Sequence, residues 1–178
     1  LSCPPGAGKW TQAQLIVEQL KIPHLSTGEM LLKAKAENTA LGQLAAQHMD
    51  GGGLVPDDVM VGIIGERLTQ PDCLEGCLLD GFPRTVNQAV ALDELLVQQG
   101  RKLDIVIELD CLANEQELVR RILLRAEKES RADDTRETIA RRLNTYREET
   151  EPVLDHYRQK DALFTVDGLQ SPNEVFGD

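Results

Sequence analysis

Lysine and threonine at the end of a glycine-rich turn are the first residues in this chain equipped for chemistry. The run Pro4-Pro5-Gly6-Ala7-Gly8-Lys9-Trp10-Thr11 leads directly into a helix-like stretch, Gln12–Leu20. Glycines let a backbone approach phosphate oxygens closely, and successive N–H groups with a helix N-terminus supply partial positive charge. Lys9 adds a full charge suited to β- and γ-phosphates, and Thr11 a hydroxyl. A second candidate, Asp80, closes the short apolar run Cys77-Leu78-Leu79 and opens Gly81-Phe82-Pro83-Arg84. A carboxylate at the end of a buried strand lies in the crevice where open α/β sheets bind ligands. Beside a phosphate loop it orients magnesium or its waters. A turn or capping aspartate is the alternative for Asp80 taken alone, and the loop upstream favours the functional reading. Arg84 carries the planar donor fork suited to a phosphate.

The whole chain is acidic, with a net charge of −11 over 178 residues. That balance argues against a nucleic-acid binder or a partner for an anionic membrane. An anionic ligand therefore needs a local basic cluster, and residues 120–142 contain one. Eight Lys/Arg (Arg120, Arg121, Arg125, Lys128, Arg131, Arg136, Arg141 and Arg142) stand there against five Asp/Glu. Arg121 and Arg125 lie four apart and share a helix face, where like charges repel by a few tenths of a kcal/mol unless an anion comes between them. The pattern alone fits a solvated helix surface as well as an anion site. Arg131-Ala132-Asp133-Asp134 mixes both signs, as a surface ion pair or an aspartate-oriented arginine would.

These residues need elements to position them. Leu1-Ser2 reads as the tail of a strand, Pro23–Ser26 as a short strand, and Thr27-Gly28-Glu29 as a helix start with Thr27 capping. Helices fill 29–50 with a break at Asn38-Thr39, the triple glycine 51–53 is a hinge, and Pro56-Asp57-Asp58 starts a helix through Leu68. Cys77–Leu79 is a strand, Thr85–Gln99 a helix, Leu103–Leu109 the clearest strand, and Glu115–Arg125 a helix. Thr135–Gln159 reads as one long helix containing Pro152, followed by a strand at Ala162–Val166 and a helix from Pro172. Strands alternating with helices imply a parallel sheet wrapped on both faces, in a single α/β domain. The four cysteines show no paired zinc spacing and fit reduced, cytoplasmic thiols. No apolar run approaches the roughly 20 residues of a membrane span. His24, His48 and His156 are scattered and are read as structural or surface residues without partners.

Taken in order, CPPGAGKWTQ, HLSTGEML, GGLVPDD, LLDGFPRTVNQA, RRILLRAEKESRADD and RRLNTYREETEPVLDHY resemble the adenylate kinases along almost the whole chain. The ordered set is far more specific than any one motif, and the short cysteine-free segment after Arg125 resembles the short-lid members. The resemblance implies the P-loop NTPase fold, with three layers around a parallel five-stranded sheet. It also implies a helical insertion for the nucleoside monophosphate at about residues 27–56 and a short lid at about 126–134. The implied reaction is reversible, magnesium-dependent transfer from ATP to AMP giving two ADP, within adenine nucleotide homeostasis, by a cytoplasmic monomer. Gly6, Ala7, Gly8, Lys9, Thr11 and Arg121 would hold ATP. Thr27, Leu54, Val55, Gly81, Arg84, Gln88, Arg131 and Arg142 would serve AMP, with Gln88 reading the adenine edge. Lys9, Arg84, Arg121, Arg125, Arg131 and Arg142 would close over the transferring phosphoryl group. Asp80 and Glu29, the latter in place of the usual aspartate, would orient Mg²⁺ through water.

Three positions depart from the family pattern. Cys3 replaces the first loop glycine, Trp10 the glycine after the lysine, and Leu32 an arginine on the AMP phosphate. A charge-assisted hydrogen bond is worth about 1.5–3 kcal/mol, so the lost arginine corresponds to roughly 10–150-fold in AMP affinity or rate. Lys33 is turned about 100° away around the helix and replaces it poorly. An indole at position 10 is expected to point into the phosphate site or force the loop open. Two rivals to an active adenylate kinase follow: a catalytically impaired nucleotide-binding module of the same fold, and a kinase for another nucleoside monophosphate.

Overall fold

Chain order alternates strands with helices, as the periodicities require. The computed structural model describes residues 1–49, 53–129 and 135–178, without the side chains of 125 and 127–129. The elements are α1 (Lys9–Leu20), β1 (His24–Ser26), α2 (Thr27–Ala36), α3 (Ala40–Met49), α4 (Asp57–Leu68), β2 (Leu78–Asp80) and α5 (Val86–Gln98). There follow β3 (Val106–Asp110), α6 (Glu115–Glu129), α7 (Arg136–Thr145), α8 (Glu151–Arg158), β4 (Leu163–Asp167) and α9 (Pro172–Gly177). Arg131, the rest of 130–134 and residues 50–52 lie outside the described residues, so most of the lid and part of the hinge expected from sequence do too.

β1 pairs in parallel with β2, aligning Ser26 with Asp80, and β3 pairs in parallel with β4. Residues 1–3 join the two pairs. Ser2 bridges Glu108 in parallel, its N–H donating to Ile107 O at 2.9 Å and its carbonyl accepting from Leu109 N at 3.0 Å. On the other side, Leu1 N donates to Leu79 O at 2.8 Å. The expected five-position parallel order thus has four laddered strands, with the central place held by a single bridge. That order brings the phosphate loop beside the carboxyl end of β2, where open parallel sheets bind ligands.

One apolar core lies among α2–α5 under β1 and β2, around Leu31, Ile64, Leu68 and Leu92. A second lies among residues 1–7, β3, β4, α6, α7 and α9, around Leu109, Leu118, Ile122 and Ile139. α2 and α3 touch closely because Gly42 has no side chain; a Cβ there would stand 2.0 Å from the Ala34 carbonyl oxygen.

The single long helix expected over Thr135–Gln159 runs from Arg136 to Arg158, with a local change of winding inside it. Between α7 and α8 the backbone makes a five-residue π-turn, Tyr146–Thr150, and Pro152 falls in the first turn of α8. A proline has no N–H to give, and only the first turn leaves that donor unneeded. Thr27, by contrast, is not the cap of α2. Ser26 caps it, accepting from Glu29 N, while the Thr27 hydroxyl donates to the Asp80 and Gly81 carbonyls, 3.3 and 2.9 Å away. Adjacent strand ends claim that hydroxyl and leave the preceding serine free to cap.

Candidate phosphate-binding cleft

The loop between residues 3 and 8 folds back on itself, Ala7 N donating to Pro4 O at 3.3 Å, and enters α1 through Gly8 at φ 84°. Gly6 also has positive φ, and a Cβ on it would collide with the Leu118 carbonyl and Ile122 of α6. No side chain caps α1, and no acidic residue occupies its first turn. Its N-terminal N–H groups are therefore directed at the cleft without an internal acceptor, as an anion site requires. Cys3 is buried at an ordinary negative-φ geometry, so its side chain costs the loop no backbone strain.

The cleft has a volume of about 810 Å³ and runs from this loop past Glu29 and Leu32 to Asp80, Arg84 and Arg142. Lys9 Nζ pairs with Asp80 Oδ1 at 3.0 Å, and His24 Nε2 meets Asp80 Oδ2 at 3.0 Å. Asp80 is 4% exposed. Burial works to raise its carboxyl, but the Lys9 charge and the hydrogen bonds from Lys9 and His24 outweigh it and hold it below the usual carboxylate range. Gln14 Nε2 lies 3.3 Å from His24 Nδ1, so a donating amide there leaves Nε2 to carry the proton toward Asp80. His24 thus has partners, contrary to the sequence reading, as does His156, which meets Asp93 at 2.8 Å.

Arg84 follows Gly81, whose φ of 77° turns the chain out of β2, and the Phe82–Pro83 peptide between them is cis. Its Nε donates to Gly81 O at 2.8 Å. No carboxylate pairs with Arg84 among the described residues. Burial pushes its guanidinium down, Asp80 and Cys3 push it back up, and the neighbouring Arg142 lowers it further. An anion bound at the Arg84 guanidinium would offset both its burial and the repulsion from Arg142. Thr150, presented by the π-turn, donates its hydroxyl to Arg84 O at 2.9 Å and fixes the arginine's backbone from the opposite wall.

Other expected residues are in the neighbourhood but engaged differently. Thr27, Leu54, Val55, Gly81 and Gln88 line a narrow annex beside Arg84. Gln88 is 2% exposed, and both ends of its amide are occupied. Oε1 accepts from Arg84 N at 2.8 Å, and Nε2 donates to Asp57 Oδ1 at 2.7 Å. Arg121 lines the cleft, yet its Nε goes to Glu117 at 2.9 Å and its Nη1 to Gly168 O at 3.2 Å, on the turn after β4. Hydrogen bonds from Arg120 and Arg121 hold the Glu117 carboxyl down at about 2. The Arg125 side chain and Arg131 are not described, and Thr11 lies on the cleft wall.

Trp10 neither opens the loop nor displaces Lys9. Its indole is 57% exposed on the cleft wall, and Nε1 donates to Glu29 Oε1 at 3.0 Å. Leu32 stands on the same wall, 40% exposed, while Lys33 reaches out to Glu37, as the helical angle predicts. Among the described residues no group of three or more His, Cys, Asp or Glu converges as a metal cage. Two separate carboxylates, Asp80 and Glu29, suit a cation held mostly by phosphate oxygens and water, the habit of Mg²⁺. Sequence reasoning missed Asp57, which also accepts from the Thr85 hydroxyl at 3.0 Å. Nothing local links residues 28 and 31 positions apart.

A glycine-rich loop over an uncapped helix, a buried strand-end aspartate and a paired arginine wall define a phosphate-loop kinase. The adenylate kinase family model matches residues 1–162. An adenylate kinase of Leptospira biflexa is 49% identical over 172 residues, covering 97% of this chain and 91% of its own length. One of Nitrobacter hamburgensis is 49% identical over 181 residues (98% and 86%), and one of Archaeoglobus fulgidus 44% over 200 residues (97% and 91%). The chain belongs to the adenylate kinase family, a family of phosphotransferases.

Proposed function

We propose that this chain transfers the γ-phosphoryl group of magnesium–ATP to AMP, reversibly, giving two ADP. The observation that carries this reading is Arg84: a guanidinium beside Arg142, without a carboxylate partner among the described residues, across the cleft from the uncapped end of α1. Phosphoryl transfer demands alignment and charge neutralisation more than covalent chemistry, and those are what this cleft offers. Gly6, Ala7, Gly8 and Thr11 cradle the ATP phosphates, and Lys9 leaves Asp80 to follow the transferring group. Thr27, Leu54, Val55, Gly81 and Gln88 seat AMP; for Gln88 to read adenine, its bond to Asp57 opens. Arg84 and Arg142, joined by Arg121, Arg125 and Arg131 as the 126–134 lid closes over the 27–56 insertion, neutralise charge and exclude water. Asp80 and Glu29 would hold the waters of a magnesium ion bound with ATP, and that ion would supply charge neutralisation. The protein acts as a cytoplasmic monomer.

A second reading, a nucleotide binder with impaired turnover, is favoured by Leu32, an apolar side chain on a wall where a cation would serve AMP. An assay supplying ADP and Mg²⁺ and coupling ATP formation to a reporter separates the two. ATP formation at about 1–100 s⁻¹, abolished by EDTA, is expected for the enzyme. Nucleotide binding without ATP formation overturns it.

A further inference from the structure

Trp10, one of the departures from the family pattern, touches Glu29, which stands in place of the usual aspartate. Trp10 lies in the first turn of α1 and Glu29 in the first turn of α2, and the indole N–H donates to the carboxylate at 3.0 Å. Both side chains line the cleft, so the bond crosses its mouth. It joins α1 to α2 directly. α2 does not move alone, because the Gly42–Ala34 contact and the buried Leu31, Ala34 and Ala45 bind it to α3 as one hairpin. That hairpin carries Thr27 at the annex and Gly28 and Leu32 at the cleft.

We propose that Trp10 is a positioning residue: its bond to Glu29 latches the α2–α3 hairpin against the phosphate loop and presets the acceptor side of the cleft. A neutral donor on a carboxylate makes a charge-assisted bond, stronger than one between neutral groups. The rigid indole loses little side-chain entropy in making it, having two rotatable bonds. A glycine at position 10 has no means of making this contact. The latch also occupies one Glu29 oxygen, leaving the other, Oε2, for water. The inference rests on the phosphoryl-transfer reading above.

The test is a double-mutant cycle of Trp10→Phe, which keeps a ring and loses the donor, with Glu29→Ala, and Glu29→Gln as the variant that keeps an acceptor. KM and kcat for AMP and for ATP are measured with Mg²⁺. Each single variant should raise KM for AMP about 5- to 20-fold, the worth of one such bond at an exposed edge. The double variant should be no worse than either single one, and Glu29→Gln, which keeps an acceptor without the charge, should raise KM for AMP less than Glu29→Ala does. Additive losses, a fall in kcat with KM for AMP unchanged, or Glu29→Gln failing as badly as Glu29→Ala would each overturn the latch. Acrylamide quenching of Trp10, the one tryptophan in the chain, reads the same bond without turnover. Quenching that rises in Glu29→Ala and not in Glu29→Gln supports the latch even if wild type makes no ATP, an outcome that would defeat only the phosphoryl-transfer reading. Quenching identical in all three proteins defeats the latch itself.

Discussion

Replacing Asp80 with Asn tests the electrostatic core of the cleft. The substitution keeps the size of the side chain and an acceptor for His24, and it removes the charge that faces Lys9 at 3.0 Å. Exposed ion pairs are worth about 0–1 kcal/mol, and breaking a buried one costs about 3–5 kcal/mol. Here Asp80 is buried and the Lys9 side chain is 26% exposed, so the pair falls between these limits, at about 2–3 kcal/mol. In a chain of this length each kcal/mol shifts Tm by about 2–4 °C, so Asp80→Asn should melt about 4–12 °C below wild type at pH 7. The pH dependence has a definite sign. Because Asp80 is held below its unfolded-state value, its stabilisation is present above the unfolded pKa of about 3.9 and is lost as pH falls through the folded value. Thermal melts followed by circular dichroism from pH 7 down to pH 3 should show the gap closing in that acid window. A gap under about 1 °C at pH 7, or one of constant size across the range, refutes the charged-pair account.

Two further substitutions address the acceptor side. Leu32→Arg places a cation on the wall of the cleft that also holds Arg84, and kcat/KM for AMP should rise about 10- to 150-fold in steady-state assays; no gain would mean that position 32 does not face the AMP phosphate. Gln88→Ala strands Arg84 N and Asp57, two groups the glutamine now satisfies, and should cost about 1–3 kcal/mol of stability before any effect on AMP recognition. Urea titration measures that loss, and an unchanged midpoint would show that water replaces both bonds.

The phosphate loop was legible because its signals are local. Positive-φ glycines, an uncapped helix start and a lysine all lie within a few residues, and backbone geometry translates them with little help from the rest of the fold. The same holds for the strand ending at Asp80 and for the break at Asn38, which has φ 52°. The long helix over 135–159 was legible too, and what the sequence left open was the π-turn just ahead of Pro152.

By itself, then, the sequence determined the alternation of strands and helices and the phosphate loop with its lysine. Only the tertiary structure decided whom those residues meet in the free protein. Asp80 takes Lys9 and His24, Gln88 takes Asp57, Arg121 takes the turn after β4, and Trp10 takes Glu29. These partners stand 19 to 71 positions apart or reach one another only across the sheet. Pairing across such distances follows from strand order and register, which set Ser26 beside Asp80 and carry residues 1–3 between two strand pairs. A tryptophan that reads as an obstruction in one dimension is, in three, a hydrogen-bond donor across the mouth of the cleft.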